Sequence, residues 1–177
     1  LAARERMHVV IVRPPAVYGP GDTRMVALFS AARRGVIPMV EPSGSLSLVY
    51  GADCADALVR ALTAQVPSGR VYYVADGEPY GRREFARLIG EAVGRRVRVV
   101  PVPVAGVVLA GAVNEAWGRL REQSVVLSRD KVADIRVAHQ TCDASLARAE
   151  LGWTPSLRFD EGARVTAEAY RSAGWIR

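Results

Sequence analysis

"VVIVRPPAVYGPGD", Val9 to Asp22, is a β-branched apolar run that meets two adjacent prolines and then two glycines. Each proline lacks the amide hydrogen a sheet ladder needs, so the strand that "VVIV" predicts must stop at Arg13. Gly19 and Gly21 then give the backbone conformations that other residues resist. The stretch reads as a buried strand near residues 9–13 that becomes a rigid, Gly/Pro-shaped loop. Its apolar positions do not alternate, which is the pattern of a parallel strand covered by helices on both faces.

Outward from that strand, apolar positions at helical spacing predict a helix over Met25–Arg34, stopped by Gly35. "PSGS" is a turn, and "LSLVY" (Leu46–Tyr50) a short strand. Asp53 is placed to N-cap the helix "CADALVRALTA". "RVYYVAD" carries a second buried strand over residues 71–75, followed by a helix over 82–94 with Phe85, Leu88, Ile89 and Ala92 as its apolar stripe. "RVRVVPVP" has an edge-strand pattern ended by proline, and "VVLAGAVNEAWGRLRE" predicts another helix. Asp143 is expected to cap a helix ended by Gly152, Trp153 to be a core staple, and a last helix to run over 161–172.

Strands alternate with helices, so the class is α/β. Only the strands near 9–13 and 71–75 read as buried parallel ones, and two strands do not make a stable open sheet. The expected fold is therefore an incomplete Rossmann-type parallel sheet, its last strands only, with a small α/β substrate-binding subdomain. "LAARER" at the start reads as the tail of a helix.

Half of the 177 residues are apolar, enough for a core, and the net charge is +6. The basic residues are arginines apart from Lys131 and are spread along the chain. Pairs such as Arg33–Arg34, Arg82–Arg83 and Arg95–Arg96 stand isolated without the interleaved aromatics of a base-stacking platform, which ranks nucleic-acid binding last. Cys54 and Cys142 lie far apart and His8 and His139 have no ligand-like spacing, so neither a disulfide framework nor a metal site is expected. The longest apolar stretch, Val99–Val113, is short of the roughly 20 residues of a membrane span. A soluble cytoplasmic protein with no membrane partner is expected.

Four motifs in order, "VVIVRPPAVYGPGD", "LSLVYGADCADALVRAL", "RVYYVADGEPYGRREFARLI" and "TCDASLARAELGWTPS", resemble the carboxyl-terminal half of the extended short-chain dehydrogenases. This is the NAD(P)-dependent epimerase/dehydratase family, and the similarity is greatest to its dihydroflavonol-reductase and hydroxysteroid-dehydrogenase branch. The resemblance covers nearly all of residues 1–177 and implies NAD or NADP as cofactor. It implies that the loop after the strand borders the nicotinamide, with main-chain groups of Pro14, Pro15, Ala16 and Val17 beside the carboxamide. Tyr18, Met25, Phe29 and Ser47 are candidates to line the substrate pocket. Asp53 matches a family aspartate, but its expected helix-cap role suffices to explain it.

Members of the family bind the dinucleotide with a glycine-rich turn and move the proton with a Tyr-x-x-x-Lys pair. Neither occurs in these residues, so no catalytic residue is assigned, and that pair is expected just ahead of "LAARER". The region "SGSLSLVY" lacks the arginine that nucleotide-sugar members carry there, which disfavours a diphosphate substrate. The resemblance thus implies the substrate-side portion of an oxidoreductase acting on a carbonyl or secondary alcohol. By itself it is expected to be inactive; its partners are a small-molecule substrate and the missing amino-terminal half, with a homodimer for the full-length enzyme. A non-enzymatic interaction module of the same fold is the alternative.

Overall fold

The computed structural model describes residues 7–103 and 137–176. The elements in chain order are β1 (Val10–Arg13), β2 (Ala16–Tyr18), α1 (Val26–Arg33), β3 (Val36–Met39), β4 (Ser45–Leu46), β5 (Leu48–Tyr50) and α2 (Gly51–Thr63). They continue with β6 (Arg70–Tyr73), β7 (Tyr80–Gly81), α3 (Arg82–Ala92), β8 (Arg98–Pro101), β9 (His139–Gln140), α4 (Ser145–Leu151) and α5 (Phe159–Ser172). The helix expected within Val107–Glu122 lies outside the described residues.

The two strands that carry the sequence reading are neighbours. β1 and β6 pair in parallel, from Val10 opposite Arg70 to Arg13 opposite Tyr73. The helix α2 connects back over this pair and packs on β1, and α4 packs on β6. Between them lies one apolar core, built on Val49, Ala57, Tyr72, Val74, Leu151 and Trp153. Trp153 is the expected staple: it is fully buried, and its indole Nε1–H donates to the Asp53 carbonyl at 3.0 Å. A second core joins α1, α3 and α5 through Phe29, Ile37, Phe85, Ile89, Phe159 and Tyr170.

Three features correct the sequence reading. The loop after Arg13 is interrupted by a strand, because the prolines silence only two amides; from Ala16 onward the backbone can donate again, and β2 pairs in parallel with β5. "VIPM" forms β3, parallel to β8, which Pro38 hides because proline argues against a strand. "LSLVY" is two strands divided at Ser47: β4 pairs with β7 and β9, and β5 turns to β2. The parallel pairs are thus more numerous than the two strands near 9–13 and 71–75 suggest. Helix boundaries move by one to three residues: α2 starts at Gly51 rather than Cys54, and α5 at Phe159 rather than 161.

The capping assignments change more. The N-cap of α2 is Tyr50, and Asp53 stands in the first turn. Asp143 lies one residue ahead of the Ala144 N-cap of α4, yet its carboxylate accepts the Ser145 amide at 2.8 Å and so performs the predicted service. At the far ends, Gly35 and Gly94 follow α1 and α3 in left-handed backbone, φ +81° and +73°, where a side chain would be strained.

Candidate functional site

At the carboxyl ends of β1 and β6 the chain encloses a cavity of about 410 Å³. One wall is Pro14, Pro15 and Ala16, the residues that follow β1; Tyr73, the last residue of β6, lies beside them. The opposite wall is Leu46, which ends β4, Ser47 after it, and, from far along the chain, Val137 with His139–Cys142 around β9. In open parallel sheets ligands bind in the crevice outside the carboxyl ends of the strands, where connections leave toward opposite faces of the sheet. The volume lies in the range of small-molecule pockets.

Two long-range ties hold this opposite wall in place. Ser47 is buried; its amide donates to the Gln140 carbonyl at 2.9 Å and its hydroxyl accepts the Cys142 amide at 3.2 Å. Arg82, at the start of α3, donates to the carbonyls of Val40 at 2.9 Å and Val137 at 2.6 Å. Gly44 makes the approach possible. A Cβ there would lie 2.0 Å from the Ala138 carbonyl oxygen, which is backbone and cannot swing aside. We therefore expect Gly44→Ala to push the β9 wall outward and to cost about 2–3 kcal/mol, read as a lower urea midpoint. An unchanged midpoint would contradict this account of the wall.

The polar groups facing the cavity are few. His139 Nδ1 and Ser45 Oγ form a 2.9 Å hydrogen bond at its rim. Burial pushes the Cys142 thiol up from its ordinary range, with the Ser47 contact and Asp143 as smaller influences, so it is not primed as a thiolate nucleophile. The site as it stands can shape, orient and hydrogen-bond a ligand. Among the described residues there is no lysine to pair with a tyrosine and no group of three His, Cys, Asp or Glu able to hold a metal.

Of the residues singled out in the sequence, Pro14, Pro15, Ala16 and Ser47 come together in this cavity. Val17 and Tyr18 instead border a neighbouring depression of about 350 Å³ with Asp22, Arg24 and Tyr50. The Tyr18 ring itself is in the core, 1% exposed, edge-on to Phe159, with its hydroxyl against Gly162. Met25 packs against the same core and Phe29 is fully buried within it. All three side chains pack into that core. Sequence reasoning missed Tyr73, His139, Gln140, Thr141 and Cys142. No local pattern marks them: the pairing of β6 with β1 sets Tyr73 beside the proline wall, and the pairing of β9 with β4 brings the other four from some 90 residues away.

An α/β chain with short parallel sheets and a crevice at the strand ends matches the Rossmann-like epimerase/dehydratase fold. Its residues 1–104 match the 3-beta hydroxysteroid dehydrogenase/isomerase family, and the chain belongs to that family. It is 30% identical over 168 residues to the ceramide reductase of Caulobacter vibrioides (strain NA1000 / CB15N), covering 94% of this chain and 52% of that protein. Among solved structures it resembles RMD from Pseudomonas aeruginosa complexed with NADPH, with a TM-score of 0.67 at 16% identity over 97% of this chain and 50% of that one. It likewise resembles dTDP-glucose 4,6-dehydratase from Bacillus anthracis in complex with NAD, with a TM-score of 0.66 at 15% identity over 95% and 46%. The chain spans about half the length of the relatives it matches. The resemblance to the extended short-chain dehydrogenases is thus borne out. Among the described residues, no helix is long and apolar enough to cross a membrane.

Proposed function

We propose that these residues form the substrate-facing half of an NAD(P)-dependent oxidoreductase acting on a carbonyl or secondary alcohol. One observation carries the reading: the proline wall that follows β1 lines a ligand-sized cavity at the carboxyl ends of two parallel strands. Two of its relatives in fold were solved with NADPH or NAD. A bound nicotinamide cofactor would supply the hydride or accept it.

The chain's own residues do the positioning. Pro14 and Pro15 present a surface fixed in φ, so the wall needs no ordering when a ring is laid on it, and that preorganisation favours binding. Val17 continues the same edge. Ser47 and its ties to Gln140 and Cys142 hold the far wall, and the exposed His139, Thr141 and Tyr73 face the mouth where a substrate enters. Tyr18 and Met25, the other two substrate candidates, act through the core that backs this edge rather than by touching substrate. The proton relay, in this reading, is a tyrosine–lysine pair on a segment outside residues 1–177, so the 177 residues alone do not turn over.

The test is a hydride-transfer assay with NADH and NADPH. The 177-residue chain is compared alone and joined behind the amino-terminal half of a relative that carries the glycine-rich turn and the tyrosine–lysine pair. Carbonyl-dependent oxidation of the cofactor is expected only from the joined polypeptide, and Pro14→Gly/Pro15→Gly is expected to raise KM for the cofactor. Turnover by the 177 residues alone would overturn the reading.

A further inference from the structure

A second site lies at the corner where α1, α3 and α5 all end. The sequence shows its arginines as separate pairs; the fold assembles them. Arg33 and Arg34 close α1, and the Gly35 carbonyl that follows accepts the Arg98 amide at 2.8 Å. That bond brings the Arg95–Arg98 loop alongside. Arg171, in the last turn of α5, donates to the Ala92 carbonyl at the end of α3 at 2.9 Å. These contacts bring the segments that carry Arg33, Arg34, Arg95, Arg96, Arg98 and Arg171 to one corner, where Arg33 and Arg34 line a pocket. None of the six forms an ion pair among the described residues.

The carboxylates nearby do not balance them. Among the described residues at these helix ends, Glu91 on α3 is taken by Arg87 at 2.5 Å, and Glu168 stands exposed one turn back on α5. Three helix ends contribute about half a negative charge each, which accounts for some of the arginines but not for all six. Within this corner is a pocket of about 420 Å³ lined by Ser30, Arg33, Arg34, Gly174, Trp175 and Ile176. Guanidinium groups and a hydroxyl are on one side. On the other, Trp175 packs tilted against Tyr170, with ring centroids 5.4 Å apart, and remains 40% exposed. The pocket shares no lining residue with the cavity at the strand ends.

Unpaired guanidiniums in a concave site suit phosphate oxygens, which they bind through paired, charge-assisted hydrogen bonds. An exposed indole offers a face on which a planar ring can stack. We propose that this corner is a binding site for a phosphate-bearing small molecule with a planar ring, held by Arg33 and Arg34 through its phosphates and by Trp175 through the ring.

The test uses the unmodified protein first. Arginines are labelled with phenylglyoxal and the sites mapped by mass spectrometry in the presence of ADP, pyrophosphate, adenosine or phosphatidylglycerol vesicles. ADP and pyrophosphate are expected to protect Arg33 and Arg34 while leaving Arg13 labelled, adenosine is expected to protect neither, and ADP is expected to act at severalfold lower concentration than pyrophosphate. ADP should also quench tryptophan fluorescence, and Trp175→Phe should remove that quenching. Arg33→Ala/Arg34→Ala is expected to weaken ADP binding about tenfold or more by calorimetry. Absence of protection by ADP, equal protection by adenosine, or protection by the vesicles alone would overturn the proposal. Because the labelling needs no variant, it stands even if the double alanine protein fails to fold.

Discussion

Replacing Asp53 by alanine is expected to destabilise the fold by about 3–5 kcal/mol, a large share of the 5–15 kcal/mol that holds a typical domain together. Asp53 is 4% exposed in the first turn of α2. Its Oδ1 accepts the Ser156 amide at 3.0 Å and the Ser156 hydroxyl at 2.6 Å, and its Oδ2 accepts the Leu157 amide at 3.3 Å. A carboxylate that takes backbone amides makes hydrogen bonds about twice as strong as neutral ones. Alanine leaves two main-chain donors without that acceptor, and the cost of stranded partners exceeds the worth of the bonds themselves. The segment they belong to links Trp153 to α5, so both cores feel the loss. Asparagine should fall between, because its amide nitrogen would face a donor at one of the two positions. Urea unfolding measures all three proteins; an alanine variant within about 1 kcal/mol of the parent would refute this role.

The second large effect concerns pH. Asp76 follows β6 and is 3% exposed; its Oδ2 accepts the Tyr80 hydroxyl at 3.1 Å, while its Oδ1 has no hydrogen-bond partner among the described residues. Burial pushes its carboxyl up to about 6, against the opposing pull of the Tyr80 hydroxyl, the Arg158 guanidinium and the Phe159 amide. A carboxyl whose folded pKa is raised binds its proton more tightly in the native than in the unfolded state. Its stabilising contribution is therefore complete below the ordinary carboxyl range and is lost as pH rises through about 6. A difference of roughly two pH units corresponds to about 3 kcal/mol. Asp76→Asn carries no such charge and keeps an acceptor for Tyr80. The variant is expected to match the parent near pH 4 and to exceed it by up to about 3 kcal/mol at pH 8. Denaturant midpoints across that range give the comparison, and an identical pH slope in both proteins would contradict it.

These two aspartates also show how far the sequence could be read. Asp53 has the local signature of a helix cap, and locally nothing distinguishes a cap from a clamp. Its partners lie 103 residues on, where only the folded chain makes them neighbours. The strands β1 and β6, the apolar stripe of α3 and the staple Trp153 were legible because periodicity and turn residues act over a few positions. The strand β3 was not, because Pro38 argues locally against the pairing that β8 supplies. In the candidate site the proline wall was legible as a break in a buried strand. The facing wall of His139 to Cys142 depends on the close approach of Gly44 to Ala138, and no window of sequence contains both. The arginine corner was equally hidden, since scattered pairs become a cluster only when three helices end together.

A crystal structure of the joined polypeptide with NAD(H) is the measurement that bears most directly on the central claim. The nicotinamide ring is expected in van der Waals contact with the Pro14–Val17 edge, with the cavity between that edge and Ser47 and His139 left for substrate. A nicotinamide bound elsewhere, with the proline wall facing only solvent, would contradict the account.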